Sequence, residues 1–248
     1  YDKLGNEYWA TVIKISKATT LARMIRSTTI MGRKETDISD AAMLIYPAMQ
    51  CADIFTMDIQ IAHSGTDQRN VHVVAREAYK NVGAKKPIAL HHHLLQGLLK
   101  GPSTPHLPDQ EDRQELLEML KMSKSIPGSA VFVHDSPEEI RQKINNAFAP
   151  EGQVDFNPIL DWTKHLIFYD PGPKLEIKRP EKFGGNIAYT SYLTLEKDYA
   201  KKKLHPMDLK NAVAEWLIQK LEPARKYFED PKRKAALEEI TTLTSRSG

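Results

Sequence analysis

Two lysines with small hydroxyl residues beside them, in the stretch Lys121-Met122-Ser123-Lys124-Ser125, are the side chains of this sequence best suited to hold a polyphosphate. Each ammonium is a mobile point charge with three donors, and each hydroxyl adds another donor. The stretch follows an acidic run with helical character, Asp109 to Leu120, and precedes Ile126-Pro127-Gly128-Ser129, whose Pro-Gly pair reads as a turn. Such a loop would act on phosphate by charge and positioning. Taken alone, the same five residues are also the composition of an ordinary solvated loop.

A second set of functional groups lies upstream. Tyr46, Gln50 and Asp53 fall at i, i+4 and i+7, so a helix within residues 40–58 carries a phenol, an amide and a carboxylate along one side. Apolar neighbours such as Ile45, Met49 and Ile54 flank that side. Polar groups in such surroundings cost free energy unless something satisfies them. Either they satisfy one another in a structural network, or they line a pocket for a small zwitterion with a polar tip.

The elements that position these groups follow from the pattern. Ile59 to His63 alternates like a strand, Ser64 to Arg69 contains a glycine turn, and Val71 to Ala78 has helical spacing. Strand, turn and helix is how an open α/β sheet presents ligand groups at the carboxyl ends of its strands. Asp67 and Gln68 then stand at the helix start, where Asp67 also suits a plain N-cap. Lys86 to Leu90 reads as a further short buried strand ending in His91-His92-His93. Consecutive residues of a strand point to opposite faces, and no cysteine or carboxylate stands at ligand spacing, so no metal site is expected.

Composition bounds the class. The chain has 248 residues, with 41% hydrophobic and 27% charged residues, as in ordinary globular domains. A net charge of +3 requires any nucleic-acid partner to be met by a local basic patch. One cysteine, Cys51, excludes an internal disulfide and fits a reducing, cytoplasmic setting. No apolar run approaches the roughly 20 residues of a membrane span. The sequence opens on Tyr1, as if inside a domain, and reads as N-terminally incomplete.

Residues 8–31 space Val12, Ile15, Leu21, Ile25 and Ile30 for one or two amphipathic helices, with Arg23, Arg26 and Arg33 able to share a basic face. That face is either solvated or a contact surface for RNA. From about Asp135 the chain reads as helical with loops. Asp135 or Ser136 caps a helix opening on Pro137, and Asn157 to Phe168 forms a second with Trp162, Leu166 and Ile167 in the core. A Pro-rich link follows, then the basic loop Lys178 to Gly185 and a long helix from Pro206 past Leu217. Lys210, Arg225, Lys226 and Pro231 to Lys234 add local positive charge.

Written as KMSKS, residues 121–125 are identical to the signature loop of class I aminoacyl-tRNA synthetases. Together with LIYPAMQCADIF, IAHSGTDQRNVHVVARE and HHHLLQGL, and with HDSPEEIRQKINNAF, IKRPEKFGG and LHPMDLKNAVAEWL further on, the chain resembles the archaeal and eukaryotic tyrosyl-tRNA synthetases over nearly its whole length. The resemblance implies an α/β fold: the C-terminal half of a class I Rossmann-like catalytic domain (residues 1–120), the signature loop and linker (121–134), and a mainly helical anticodon-recognition domain (135–248).

It also implies roles. Tyr46 and Gln50 would hold the amino group of the substrate tyrosine, Asp53 its phenolic OH, and Gln68 would complete that site. Gly65 and Asp67 would approach the ATP ribose, and the backbone near Leu94 the adenine. Lys121 and Lys124, with Ser123, would neutralise charge on the β- and γ-phosphates while magnesium accompanies the ATP. Phe183 would stack on the first anticodon base beside His205 and Asp208, and Arg26, with Arg69 as its neighbour, would touch the acceptor stem. The implied partners are tRNA(Tyr), L-tyrosine and a second copy in a homodimer. Activity would need an N-terminal half carrying the HIGH-type phosphate motif. Tryptophan as substrate is the nearest alternative, since tryptophanyl enzymes share the architecture, and a non-catalytic RNA-binding derivative is the other.

Overall fold

The computed structural model describes residues 3–31, 38–99, 116, 120–123, 126, 128–169 and 172–245. They fall into two compact units, Tyr1–Leu94 and Leu95–Gly248, each with its own core. The compact units part between Leu94 and Leu95.

The first unit opens with α1 (Gly5–Ala18) and α2 (Leu21–Ser27). Tyr8, Val12 and Ile15 form the buried stripe of α1, as their i, i+4, i+7 spacing requires. Thr19 and Thr20 then turn extended, and the Thr20 hydroxyl caps α2 by accepting the Arg23 amide N–H. That break restarts the helical register. Leu21, expected in the core, is exposed, and Met24 takes the inward place.

Next come α3 (Ile45–Thr56), β1 (Ile61–Gly65), a 3₁₀ turn at Thr66–Gln68, α4 (Arg69–Ala78) and β2 (Ile88–His92). The strands pair in parallel, from Ile61 opposite Ile88 to Gly65 opposite His92, with α4 as the crossover that parallel pairing demands. Val71, Val74, Ala75 and Ala78 are the buried face of α4. Both strands begin two residues later than the sequence pattern suggested. After α3 the chain turns through Asp58, whose φ of 49° is left-handed, and the Ile59 amide still bonds back to the Ile54 carbonyl. Pro87 has no N–H for the ladder, so the first bond of β2 comes from Ile88, to the Gln60 carbonyl.

The second unit contains α5 (Pro137–Asn145), α6 (Pro158–Trp162) continued by a π-helical turn at Thr163–Ile167, β3 (Leu175–Ile177), β4 (Ile187–Tyr189), α7 (Tyr192–Ala200), α8 (Pro206–Lys220), α9 (Glu222–Phe228) and α10 (Pro231–Ser245). Its core joins Ile140 and Ile144 of α5 to Ile159, Leu160, Trp162, Ile177, Leu195, Leu209 and Val213. Ser136, not Asp135, caps α5, in a reciprocal box with Glu139. Asp135 instead accepts the Phe132 N–H and pairs with Lys143 at 2.5 Å.

The antiparallel β3–β4 hairpin, Leu175 opposite Tyr189, was not foreseen in the sequence, because three-residue strands are too short to show alternation. Lys210, expected to add surface charge, is buried, with its ammonium on the Asn145 carbonyl and its pKa lowered by desolvation. Arg225 likewise turns inward, to the Ile218 carbonyl. No helix among the described residues is long and apolar enough to cross a membrane.

Candidate active site

In the first unit α3 carries Tyr46, Gln50 and Asp53. Tyr46 is half exposed, and Gln50 donates its amide N–H to the Gln68 Oε1 at 2.8 Å, joining α3 to the turn after β1. Asp53 accepts the Tyr8 phenol at 2.7 Å. The Tyr8 ring is 2% exposed and its oxygen also lies 3.2 Å from the Met49 carbonyl, so a fixed phenol orients the carboxylate. An ionised carboxylate accepts several hydrogen bonds, which leaves Asp53 able to take a second hydroxyl donor. In the sequence, the spacing of Tyr8 with Val12 and Ile15 reads as plain helix core. Only its hydroxyl distinguishes it.

At the carboxyl ends of the strands, Gly65, Asp67 and Leu94 come together. A side chain at Gly65 would have its Cβ 2.5 Å from the Leu94 Cδ2 and 2.6 Å from the Asp67 Oδ1, so both side chains would have to shift to admit it. Asp67 lies inside the 3₁₀ turn, and the N-cap positions of the turn and of α4 fall on Gly65 and Gln68. His91 and His92 do point to opposite faces. The His91 Nε2 is 3.0 Å from the His72 Nδ1, and the His92 Nδ1 is 3.1 Å from the His63 Nε2. Burial and the facing His91 hold the His72 imidazole below its ordinary pKa.

Arg69 opens α4, and the Asn70 side chain beside it donates to the Arg26 carbonyl at 3.3 Å. Arg26 and Arg69 therefore share one edge of this unit. Arg23 pairs with Glu77 at 2.6 Å, and Arg33 lies outside the described residues.

In the second unit Lys121 forms an antiparallel bridge with Gln96. The Met122 amide donates to the Leu95 carbonyl at 2.8 Å, and the Ser123 carbonyl accepts the Ser129 hydroxyl at 2.7 Å. The start of the loop is thus pinned to residues 95–98. That segment is in turn anchored by Trp162, whose indole donates to the Gln96 carbonyl at 2.7 Å. Lys124 and Ser125 lie outside the described residues.

Further along, a cleft of about 360 Å³ is lined by Phe183, His205, Asp208, Arg179, Lys202, Lys203 and Glu151. Phe183 is 60% exposed, ends a 3₁₀ turn and is followed by Gly184 and Gly185, both left-handed. Its ring has the Lys182 ammonium 5.0 Å from the centroid. His205 caps α8, its Nδ1 accepting the Met207 N–H at 3.2 Å, and Asp208 stands in the first turn. The helix-start reading and the ligand reading of these residues are therefore compatible.

Residues 4–222 match the sequence model of the tRNA synthetases class I (W and Y). The chain belongs to that family. This class I synthetase chain is 53% identical over 232 residues to a tyrosine–tRNA ligase of Thermococcus sibiricus, covering 90% of the chain and 62% of that relative. Against the Pyrococcus furiosus tyrosine–tRNA ligase the identity is 52%, with the same coverage.

Among solved structures, tyrosyl-tRNA synthetase from Pyrococcus horikoshii complexed with L-tyrosine superposes with a TM-score of 0.84 at 49% identity, covering 96% of this chain and 66% of that one. Leishmania major tyrosyl-tRNA synthetase in complex with tyrosinol gives 0.76 at 31% identity, covering 97% and 35%. A tryptophanyl-tRNA synthetase from Encephalitozoon cuniculi, at 18% identity and 0.51 over 94% of this chain and 57% of that one, shares the fold alone. The chain spans 62% of the length of the curated relatives named.

Proposed function

We propose that this chain is part of a tyrosine–tRNA ligase. In this reading L-tyrosine and ATP form tyrosyl-adenylate and pyrophosphate, and the tyrosyl group then passes to the 3′ end of tRNA(Tyr). The observation that carries the proposal is the Tyr8–Asp53 hydrogen bond: it fixes a carboxylate on α3, where a second phenol can donate to it. The identity with tyrosine–tRNA ligases supports the same substrate.

Asp53 would receive the substrate OH, with Tyr46, Gln50 and Gln68 around the amino group. Phenylalanine would leave the second acceptor position of the carboxylate without a donor, a difference worth roughly 10⁴ to 10⁵ in discrimination. Gly65 and Asp67 would meet the ATP ribose, and the backbone near Leu94 the adenine. Lys121, Ser123 and Lys124 would balance charge on the leaving phosphates as the tyrosine carboxylate attacks the α-phosphorus, a step that needs positioning and electrostatics but no protein nucleophile.

Magnesium would come with the ATP. A hard ion held chiefly by phosphate oxygens and water needs one or two protein carboxylates at most, a demand that Asp67 at the turn after β1 fits. Its chemistry there is charge neutralisation on the triphosphate. Phe183, His205 and Asp208 would take the first anticodon base, Arg26 and Arg69 the acceptor stem, and a second copy of the chain would complete a cytoplasmic homodimer.

The test is aminoacylation by the natural polypeptide that contains these residues, with tyrosine and tryptophan run in parallel on tRNA(Tyr) and tRNA(Trp) transcripts. Tyrosine transferred to tRNA(Tyr) alone supports the reading. Transfer of tryptophan, or RNA binding with no transfer of either amino acid, contradicts it.

A further inference from the structure

The cleft at Phe183 has a net positive lining. Arg179, Lys202 and Lys203 line it together with the ring, against two carboxylates, Glu151 and Asp208. Arg179 is tied down on both sides: its Nε donates to the Gly185 carbonyl at 3.0 Å and its Nη1 to the Lys203 carbonyl at 3.2 Å. The guanidinium therefore joins the turn that presents Phe183 to the turn that leads into His205. Five donors in a planar fork leave it capacity beyond these two bonds.

Lys202 is the more telling residue. It stands just past the C-terminus of α7 with φ at 59°, its amide bonded to the Tyr199 carbonyl while the Lys203 amide bonds to the Asp198 carbonyl. This is the Schellman arrangement, and its left-handed position is one that glycine occupies without strain. The sequence keeps a lysine there instead. Its stem lies against Gly152, where an added Cβ would sit 3.2 Å from the Lys202 Cε and 3.3 Å from its Cγ. A left-handed backbone position and a glycine opposite thus hold the Lys202 stem at the rim of the cleft, its ammonium 3.9 Å from the Glu151 carboxylate and that of Lys203 3.9 Å from Asp198, exposed pairs that a phosphate can replace.

We propose that Lys202 and Lys203, with the remaining donors of Arg179, form a phosphate seat. The cleft would then take a whole nucleotide of single-stranded RNA, its base against Phe183 and a flanking phosphate on the cations. The inference rests on the reading of this cleft as the anticodon site and adds the backbone contact to it.

The experiment uses the full chain, a fluorescent anticodon stem-loop of tRNA(Tyr), and anisotropy titrations over a range of salt. The variants are Lys202→Gly and Lys203→Gln, with Phe183→Ala as the control for the cleft itself. Lys202→Gly relieves the left-handed strain, so it is expected to melt no lower than the parent. It is also expected to bind the loop about ten-fold more weakly, with a slope of log K against log salt reduced by about 0.7, as for one lost single-strand phosphate contact.

A loop with methylphosphonates flanking the first anticodon base should bind the parent chain at least as weakly as the native loop binds Lys202→Gly, because it loses the contacts to Lys203 and Arg179 as well. Combining the two changes should then cost little more. Unchanged affinity and slope in both lysine variants, alongside weakened binding in Phe183→Ala, would overturn the phosphate seat and leave the cleft reading standing. If Phe183→Ala also binds normally, the anticodon reading of the cleft fails and the seat falls with it.

Discussion

Tyr8 and Asp53, 45 positions apart in the chain, are joined by a 2.7 Å hydrogen bond from the phenol to the carboxylate. The bond links α1 to α3 inside the core of the first unit, where Tyr8 is 2% exposed. Removing the hydroxyl in Tyr8→Phe keeps the ring packing and deletes a bond to a charged acceptor. The expected loss is about 1.5–3 kcal/mol of stability, read as a shift in the denaturant midpoint with an unchanged slope. A second effect follows if Asp53 receives a substrate phenol: selectivity for tyrosine over phenylalanine should fall in Tyr8→Phe even after the stability loss is corrected for.

His72 makes the first unit sensitive to acid. Burial, and then the facing His91, lower its pKa from 6.5, so the folded state prefers the neutral ring. The unfolded chain binds the proton more readily. Stability is therefore full above about pH 6.5 and declines as the pH falls through the lowered folded value. Urea titrations between pH 8 and pH 5 should show this decline in the parent and a flatter profile in His72→Gln. An equal decline in both would remove His72 as its source.

Cys51 is fully buried on α3, its Sγ 3.3 Å from the Val71 carbonyl, and burial pushes its thiol up to about 12. The thiolate is the reactive form. A thiol reagent at pH 8 should leave native chain unmodified over minutes and react at once in denaturant. Fast labelling without unfolding would contradict this placement.

Lys210 separates structural from RNA-facing charge. Lys210→Ala strands the Asn145 carbonyl and should cost about 1–3 kcal/mol of stability. The salt dependence of RNA binding should stay that of the parent, because this ammonium is held on the Asn145 carbonyl.

The sequence made the local elements of the site legible wherever one face of a helix carried the signal. The i, i+4, i+7 spacing of Tyr46, Gln50 and Asp53 did place them on one helix, and the strand–glycine–helix pattern put Gln68 where Gln50 reaches it at 2.8 Å. What escaped were facts created by tertiary contact. The hydroxyl of Tyr8 reads as core until α3 is packed against α1. The left-handed Lys202 reads as one more surface lysine until its φ is known. Lys210 reads as charge for RNA until the turn at Asn145 closes over it. The register of β1 was lost because the exit from α3 through Asp58 absorbed two strand-like residues. In each case the deciding quantity was a contact or a dihedral that spacing does not encode.

The measurement that bears most directly on the central claim is amino-acid-dependent ATP–pyrophosphate exchange by the natural polypeptide containing this chain, comparing tyrosine with phenylalanine in the parent and in Asp53→Ala. Exchange with tyrosine and a preference over phenylalanine of roughly 10⁴ or more are expected in the parent, the preference collapsing by several orders of magnitude in Asp53→Ala while the fold persists. A parent that exchanges with tryptophan instead, or an Asp53→Ala variant that keeps its preference for tyrosine, would contradict the assignment of Asp53 to the substrate phenol.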